Sequence, residues 1–179
     1  MHSRLWLGVI AAFLGAICAL DSAAAEGSLQ PASLWKRLPD WDVRVDHTLG
    51  PSCFLVALYK SGTAVRIGLD QINSQIYLLL GNDAWAWVVS GQRYDLTFQF
   101  NAGQSWATTA TAIRVSGDSI ALSTSFSTTQ FLSEFVAGKY LAVSYSGRPF
   151  AALDLRGTSE AGIELMACQK AMATTKAMP

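Results

Sequence analysis

Two cysteines place the tightest constraint on how this chain can fold. Cys53 and Cys168 are the pair that remains once an N-terminal export signal carrying Cys18 is removed. An exported compartment is oxidising, so an even number of cysteines predicts a disulfide. Two buried free thiols, or a nucleophilic cysteine, are the alternatives. A disulfide closing a loop of about 100 residues stabilises a fold by about 4.7 kcal/mol in the chain-entropy model.

The N-terminal segment has the layout of a secretory signal peptide over residues 1–25. Basic Arg4 precedes an apolar run over residues 5–20, and small residues lead to a cleavage site after Ala25 or one residue earlier. A membrane anchor is the alternative, but the run is shorter than the roughly 20 residues of a spanning helix. Lipidation at Cys18 is disfavoured because an isoleucine stands where a small residue should precede it. The sequence therefore predicts a periplasmic or secreted protein.

The charge balance narrows the class of partner. The full chain has 13 basic and 13 acidic residues, and the signal segment removes one of each, Arg4 and Asp21. The basic residues are scattered, whereas nucleic acids and anionic membranes require clustered lysine and arginine. No second apolar run is long enough for a membrane span. We expect no nucleic-acid partner and no stable membrane insertion after cleavage; another protein or an envelope component is the expected partner.

Short segments of strand character fill most of the chain. In residues 93–100 large apolar side chains alternate strictly with polar ones, which is typical of an antiparallel strand with one buried face. Residues 52–59 are almost continuously apolar and predict a central strand covered on both faces. The other predicted strands are residues 41–47, 64–70, 75–80, 106–115, 119–124, 139–145 and 148–155. Short strands separated by glycine-containing turns predict an antiparallel β-sandwich or barrel.

Two helices complete a mainly β, α+β fold. The first is predicted near residues 127–137, because Ser127 and Gln130 have capping-box spacing and Gly138 stands at the expected end. The second is predicted near residues 158–172, with Thr158 or Ser159 as its cap. Its apolar stripe consists of Ala161, Leu165, Cys168 and Met172. That stripe turns Cys168 toward the core, where Cys53 is expected.

The mature chain is predicted to be a single domain. Residues 26–40 are expected to form a flexible N terminus, because their first part lacks periodicity and contains Gly27 and Pro31. The β-rich domain is predicted over residues 41–173, followed by a frayed tail over residues 174–179.

No catalytic or metal-binding constellation is visible. The mature chain has one histidine, His47, at the end of a predicted strand, and base catalysis also needs a nucleophile and an oxyanion site. One histidine and two disulfide-bonded cysteines do not supply the four ligands of a structural zinc site. The six candidate carboxylates are expected to be solvated or turn-forming residues: Asp40, Asp42, Asp46, Asp70, Asp83 and Asp118. We therefore expect no enzyme activity and no cofactor, while a pair of carboxylates brought together in space stays open.

The best candidate for a partner surface is Trp85, Trp87, Arg93 and Tyr94. The two tryptophans follow an Asn-Asp turn and would share one face of an extended segment. Exposed tryptophans often anchor protein partners. The competing interpretation is that these aromatic residues are buried against an edge of the sheet, since large aromatic side chains are usually buried.

Several segments between residues 41 and 168 form a pattern when they are taken together. They are a Trp-Asp-Val segment at Trp41, a Ser-Cys-Phe-Leu segment at Ser52, a hairpin over residues 59–69 and a Leu-Asp-Leu-Arg-Gly segment at Leu153, followed by Ala161 and Leu165. Over this range the chain resembles the invasion-associated locus B family of small bacterial envelope proteins. Many members carry a further cysteine pair that this chain lacks. The resemblance implies a non-enzymatic periplasmic or surface protein, associated in some bacteria with host-cell entry.

Two leading functional hypotheses follow from the sequence, and an enzyme of unrecognised type is the third. The first is a periplasmic or cell-envelope binding or accessory protein that acts through a surface. Only the resemblance implies that such a protein takes part in host interaction. The second is an inhibitor or immunity protein against a cell-wall hydrolase, for which the turn at residues 90–94 is the first contact region to test.

Overall fold

A computed structural model describes residues 32–48, 52–101 and 105–176. The predicted signal peptide, the first part of the predicted flexible N terminus and the last three residues of the predicted tail lie outside the described residues. Neither helix in the described part has the length and apolar character that crossing a membrane requires.

In the described residues, ten antiparallel strands form one sheet. They are β1 (Ser33–Arg37), β2 (Asp42–Asp46), β3 (Ser52–Leu58), β4 (Ala64–Asp70), β5 (Gln75–Gly81), β6 (Arg93–Phe100), β7 (Ser105–Ser116), β8 (Ser119–Phe126), β9 (Tyr140–Tyr145) and β10 (Arg148–Asp154). Their order across the sheet is β1-β2-β3-β4-β5-β8-β7-β6-β9-β10. Within the same ranges two helices accompany the sheet, α1 (Gln130–Ala137) and α2 (Thr158–Lys176). The mainly β fold with one mid-chain and one C-terminal helix is confirmed.

The two ends of the sheet approach each other. The Trp41 indole, just before β2, donates a 3.0 Å hydrogen bond to the carbonyl of Arg156, just after β10. The hydroxyl of Tyr59 donates at 2.7 Å to the carbonyl of Asp154. The sheet is therefore curled, and its inner face carries a core in which the alternating residues Leu96 and Phe98 are buried, as their period predicts.

Strand β1 lies within the segment predicted to be flexible. All five of its residues are exposed, so no apolar alternation marks it in the sequence. Backbone pairing with β2 positions it, together with ion pairs from Arg37 to Asp42 at 2.9 Å and from Lys36 to Glu164 of α2 at 2.6 Å. The ordered part of the domain thus begins earlier than residue 41, because an edge strand can be specified by its neighbours rather than by its own pattern.

The predicted capping box of α1 is wrong. The helix begins at Gln130, after Thr129, and the N-cap position makes no side-chain hydrogen bond. The Gln130 side chain bonds forward to Glu134 at 3.0 Å instead of reaching back toward Ser127. Glu134 also accepts a 2.8 Å hydrogen bond from the Trp106 indole, which fastens α1 to β7. The local contact at the start of the helix comes from the Thr128 hydroxyl, which accepts a 3.2 Å hydrogen bond from the Gln130 N–H, and the bond from Trp106 adds a tertiary contact.

A hydroxyl at the start of α2 supplies a hydrogen bond to a backbone carbonyl at the end of α1. The carbonyl of Val136 accepts a 2.8 Å hydrogen bond from the hydroxyl of Ser159. The Thr158 hydroxyl lies 3.1 Å from the same oxygen but is closer, at 2.6 Å, to the carbonyl of Leu155. A last-turn carbonyl of a helix has no partner within its own helix, so the Ser159 hydroxyl caps α1 rather than α2. Gly162 permits the close approach, because an added Cβ would lie 2.8 Å from a Val136 methyl group. The α2 helix runs to Lys176, four residues beyond its predicted end.

The predicted disulfide is present. Cys53 of β3 and Cys168 of α2 are both fully buried and bonded. The neighbouring Gln169 side chain accepts a 3.1 Å hydrogen bond from the backbone N–H of Cys53. The predicted apolar stripe of α2 faces inward, with Ala161 and Leu165 also fully buried. The bond and the amide contact together hold the C-terminal helix against the third strand.

Reducing this disulfide is expected to lower the free energy of unfolding by about 2–5 kcal/mol, because the unfolded chain regains its freedom. The measurement is urea unfolding of the mature protein with and without reductant. Mass spectrometry of the non-reduced protein should recover a peptide that links Cys53 to Cys168. Two thiols that alkylate without reduction would contradict the pairing.

Candidate functional site

The loop over residues 82–92, between β5 and β6, carries the two predicted surface tryptophans. At its start the Asn82 side chain accepts a 2.9 Å hydrogen bond from the Ala84 N–H. The same side chain donates to the carbonyl of Ser61 at 3.1 Å and to the hydroxyl of Thr63 at 3.0 Å. Asparagine commonly organises a turn in this way. The loop is thus fixed both to itself and to the β3–β4 turn.

Tyr94 of β6 fixes the other half of the loop. Its hydroxyl accepts a 2.8 Å hydrogen bond from the Val89 N–H and donates at 3.1 Å to the carbonyl of Trp87. Its side chain is only 7% exposed. Because this residue is buried beneath the loop, it holds the partner surface in shape and is not itself available for contact.

Five aromatic rings form a cluster between this loop and the β9–β10 hairpin. The Trp87 ring lies parallel to Tyr145, with centroids 5.3 Å apart and planes 3° apart. Phe150 meets Trp87 edge-on at 5.1 Å and Trp85 at 4.9 Å. Tyr94 packs edge-on against Trp87 at 5.3 Å. Such stacked and perpendicular contacts add stability beyond burial, so Trp87 stands on a pre-organised support.

A groove opens over this cluster. Its volume is about 440 Å³, and it is lined by Trp87, Tyr145, Ser146, Arg148, Pro149 and Phe150. The hairpin turn that supplies half the lining has positive φ at Ser146 (49°) and Gly147 (74°), the conformation typical of a type I′ hairpin turn. We name this feature the Trp87 groove.

The structure separates the four residues of the predicted partner surface. Trp87 is 38% exposed and lines the groove. Trp85 is partly buried against the core behind it, and Tyr94 is buried. Arg93 is exposed but does not line the groove. The tryptophans meet in a turn rather than on one face of a strand, so the geometric premise of the prediction was wrong although both rings join one cluster.

Sequence reasoning missed the hairpin residues Tyr145, Arg148 and Phe150. Each fits an ordinary strand pattern, and nothing in the local sequence connects it with residues 85–87. Sheet order brings the segments together, because β9 and β10 lie beside β6, whose start carries Tyr94. Only the turn signal Ser146-Gly147 was available, and it indicated a hairpin but not what the hairpin faces.

The residues considered for catalysis are held apart in structural contacts. His47 is exposed, with a ring nitrogen 3.3 Å from the Ser33 hydroxyl. Asp70 accepts backbone hydrogen bonds from Ile72 and Asn73, which shapes the turn after β4. Asp118 pairs with Arg114. Within the described ranges no three His, Cys, Asp or Glu side chains are grouped so that they could hold a metal ion.

Asp46 departs from the expected solvated state. It is only 4% exposed and forms an ion pair with Arg66 on the outer face of the sheet. Arg66 also donates a 2.8 Å hydrogen bond to the Tyr77 hydroxyl, and its guanidinium lies 3.8 Å from the centre of the Phe54 ring. Alternation places Asp46 on the outer face, but this arginine and its neighbours cover that face. The predicted covering of β3 is therefore partly made by an arginine.

Local hydrogen bonds and charge keep Asp46 ionised. Burial opposes ionisation, but two hydrogen bonds from Thr48 and the charge of Arg66 outweigh it, so the pKa of Asp46 lies below its ordinary value. Burial raises the pKa of Tyr77 to about 12, although Arg66 opposes that rise. The cluster is therefore a neutralised ion pair beside a protonated tyrosine at neutral pH, which is a structural rather than a catalytic arrangement.

Comparison of the chain with protein-family models, curated proteins and solved structures returned no match. The predicted membership of the invasion-associated locus B family stays a prediction.

Replacing Tyr94 by Phe is expected to lower the free energy of unfolding by about 1–2 kcal/mol, because the Val89 N–H loses its acceptor. Hydrogen exchange at Val89 should accelerate, while exchange at Ala112, bonded to the Gln92 carbonyl, should change less. Tyr140→Phe is the control, since that tyrosine is exposed. Equal effects of the two variants on Val89 would contradict the role of the Tyr94 hydroxyl.

Replacing Asp46 by Asn is expected to cost about 1–3 kcal/mol at pH 7. The lowered pKa of Asp46 means that its contribution is present above the unfolded value of about 3.9 and disappears as pH falls through the lower folded value. Urea unfolding at a series of pH values should show a smaller acid-induced loss in Asp46→Asn than in the wild type. The exposed Asp118→Asn is the control; an unchanged acid slope in Asp46→Asn would refute this role.

Proposed function

We propose that this protein is an exported, non-catalytic binding protein of the cell envelope, and that it contacts a protein partner through the Trp87 groove. One observation carries the proposal: a large aromatic side chain, 38% exposed, stands on an ordered aromatic cluster at the mouth of a groove. Tryptophan and arginine are the residues most enriched among those that dominate binding energy. Trp87 and Arg148 line this groove together.

The rigidity of the site supports a binding role. The Tyr94 hydroxyl accepts a hydrogen bond from the Val89 N–H and donates one to the Trp87 carbonyl, and the Tyr145 ring lies parallel to the Trp87 indole. Less conformational entropy is lost on association when the contact residues are already ordered. A partner that covers Trp87 would therefore lose less ordering entropy than one that binds a mobile side chain.

Export to the cell envelope is supported by two features. The sequence predicts a signal peptide at residues 1–25, and the buried disulfide between Cys53 and Cys168 is typical of a protein that folds in an oxidising compartment. This setting makes other envelope proteins the available partners.

The inhibitor alternative draws on the same loop. Residues 82–92 are fixed at one end by Asn82 and at the other by Tyr94, and Val89 near the tip is 55% exposed. A rigid loop with an exposed apolar tip is the kind of contact by which a small domain can block another protein's cleft. It ranks second because it adds the requirement that the partner is a hydrolase.

Photo-crosslinking can test the proposed surface. With p-benzoylphenylalanine in place of Trp87, we expect illumination of cells that export the protein to give a discrete crosslinked species. The matched control has the same replacement at Trp35, which is 40% exposed on β1 and does not line the groove. No species at position 87, or the same species at both positions, would defeat the proposal. If the captured protein were a cell-wall hydrolase that this protein inhibits in a lysis assay, the second candidate would replace the first.

A further inference from the structure

The polar side chains that line the Trp87 groove can all donate hydrogen bonds, and only the two hydroxyls among them can also accept. Its polar side chains are the Trp87 indole, the Arg148 guanidinium and the hydroxyls of Tyr145 and Ser146. All four can donate, and the lining contains neither a carboxylate nor a carboxamide side chain. The remaining side chains of the lining, Pro149 and Phe150, are apolar. The groove therefore matches a ligand that is apolar and rich in acceptors.

The two strongest donors are free for such a ligand. Neither the Trp87 indole nitrogen nor the Arg148 guanidinium forms a hydrogen bond or ion pair with another residue in the described ranges. Both side chains are exposed. A ligand carbonyl or carboxylate can therefore bind them without displacing an existing contact, and charge-assisted bonds to arginine are stronger than neutral ones.

A proline-rich segment has this complementary chemistry. Proline contributes a carbonyl but no backbone N–H, so a run of prolines presents acceptors and apolar rings and brings no donor that must be satisfied. The run also forms a polyproline II helix with no internal hydrogen bonds, which leaves its carbonyls available and its conformation already ordered. A sugar would bring several hydroxyl donors to a lining that lacks carboxylate and amide acceptors.

The arrangement of the aromatic rings favours the same ligand. Grooves lined by aromatic side chains are the usual receptors for polyproline II segments. Here Trp87 contacts Tyr145 and Phe150 at centroid distances of 5.3 and 5.1 Å, and Pro149 extends the apolar lining. The volume of about 440 Å³ lies within the range of roughly 300–1,000 Å³ typical of ligand pockets.

We propose that the Trp87 groove binds a proline-rich segment of an envelope partner in the polyproline II conformation, with an acidic residue of that segment beside Arg148. The inference rests on the proposed function and names the chemistry of its partner. The Trp87 indole donates to a ligand carbonyl, the aromatic rings cover the proline rings, and Arg148 selects a flanking carboxylate.

Direct titration tests the ligand class. The probe is a blocked polyproline peptide of about ten residues, roughly three turns of polyproline II helix, carrying a glutamate at one end. A glycine–serine peptide of equal length with the same glutamate is the comparison. Binding to the mature protein is measured by calorimetry, and we expect heat from the polyproline peptide alone. Trp87→Ala should weaken binding by at least about tenfold, whereas Trp35→Ala should leave it unchanged.

Charge reversal tests the orientation. In Arg148→Glu we expect the preference for the glutamate-bearing peptide over its glutamine counterpart to be lost. Arg156→Glu is the matched control, because Arg156 is also exposed but lies just beyond the opposite end of β10. Urea unfolding of every variant separates loss of binding from loss of fold.

The outcomes are distinct from those of the crosslinking experiment. Equal binding of the two peptides, binding that Trp87→Ala leaves intact, or binding of chitotetraose in place of either peptide would overturn the proline-rich ligand. If crosslinking at position 87 still captured a partner, the proposed function would stand with a different ligand. If no species were captured and the polyproline peptide failed to bind, both proposals would be lost.

Discussion

The link between β3 and α2 is the constraint on which the rest of the structure depends. Cys53 and Cys168 are joined in the core, and Gln169 accepts the backbone N–H of Cys53 beside them. A helix fastened in this way has a fixed position relative to the first strands of the sheet. Its first turn then meets Val136 at the end of α1, so one crosslink aligns both helices with the curled sheet.

Because the sheet is curled, its inner and outer faces are covered by different kinds of side chain. The inner face is a conventional apolar core, whereas part of the outer face is covered by Arg66, which neutralises Asp46 and lies over Phe54. An arginine can do both because its guanidinium pairs with a carboxylate in its plane and stacks on an aromatic ring with its face. The close packing there also explains Gly68, where an added Cβ would lie 2.6 Å from the Phe54 Cβ. The charged groups of this face are thus used by the fold.

The Trp87 groove differs from this outer face, because its two strongest donors have no hydrogen-bond partner within the described residues. The hydroxyl of the neighbouring Tyr94 is hydrogen-bonded to the loop backbone. In contrast, the Trp87 indole nitrogen and the Arg148 guanidinium make no hydrogen bond or ion pair with the rest of the described chain. Water can satisfy these donors in the free protein, and a ligand can replace that water without breaking a contact within the described chain. This contrast with the satisfied outer face is why the groove, rather than the carboxylates, carries the functional proposal.

Local pattern determined the strand and helix content of this protein. Three local features predicted the β-rich fold and the inward orientation of Cys168, because each depends only on residues close together in the chain. They are the alternation over residues 93–100, the glycine turns and the apolar stripe of α2. Local pattern failed where long-range partners decide the outcome: β1 has no buried face, Asp46 is covered by a distant arginine, and α1 lacks its expected cap. The Trp87 groove belongs to the same class, because it joins a loop after β5 to a hairpin between β9 and β10. The sequence by itself determined the strands and helices other than β1, and tertiary structure alone decided which side chains meet, since strand order across the sheet is not a periodic property of the chain.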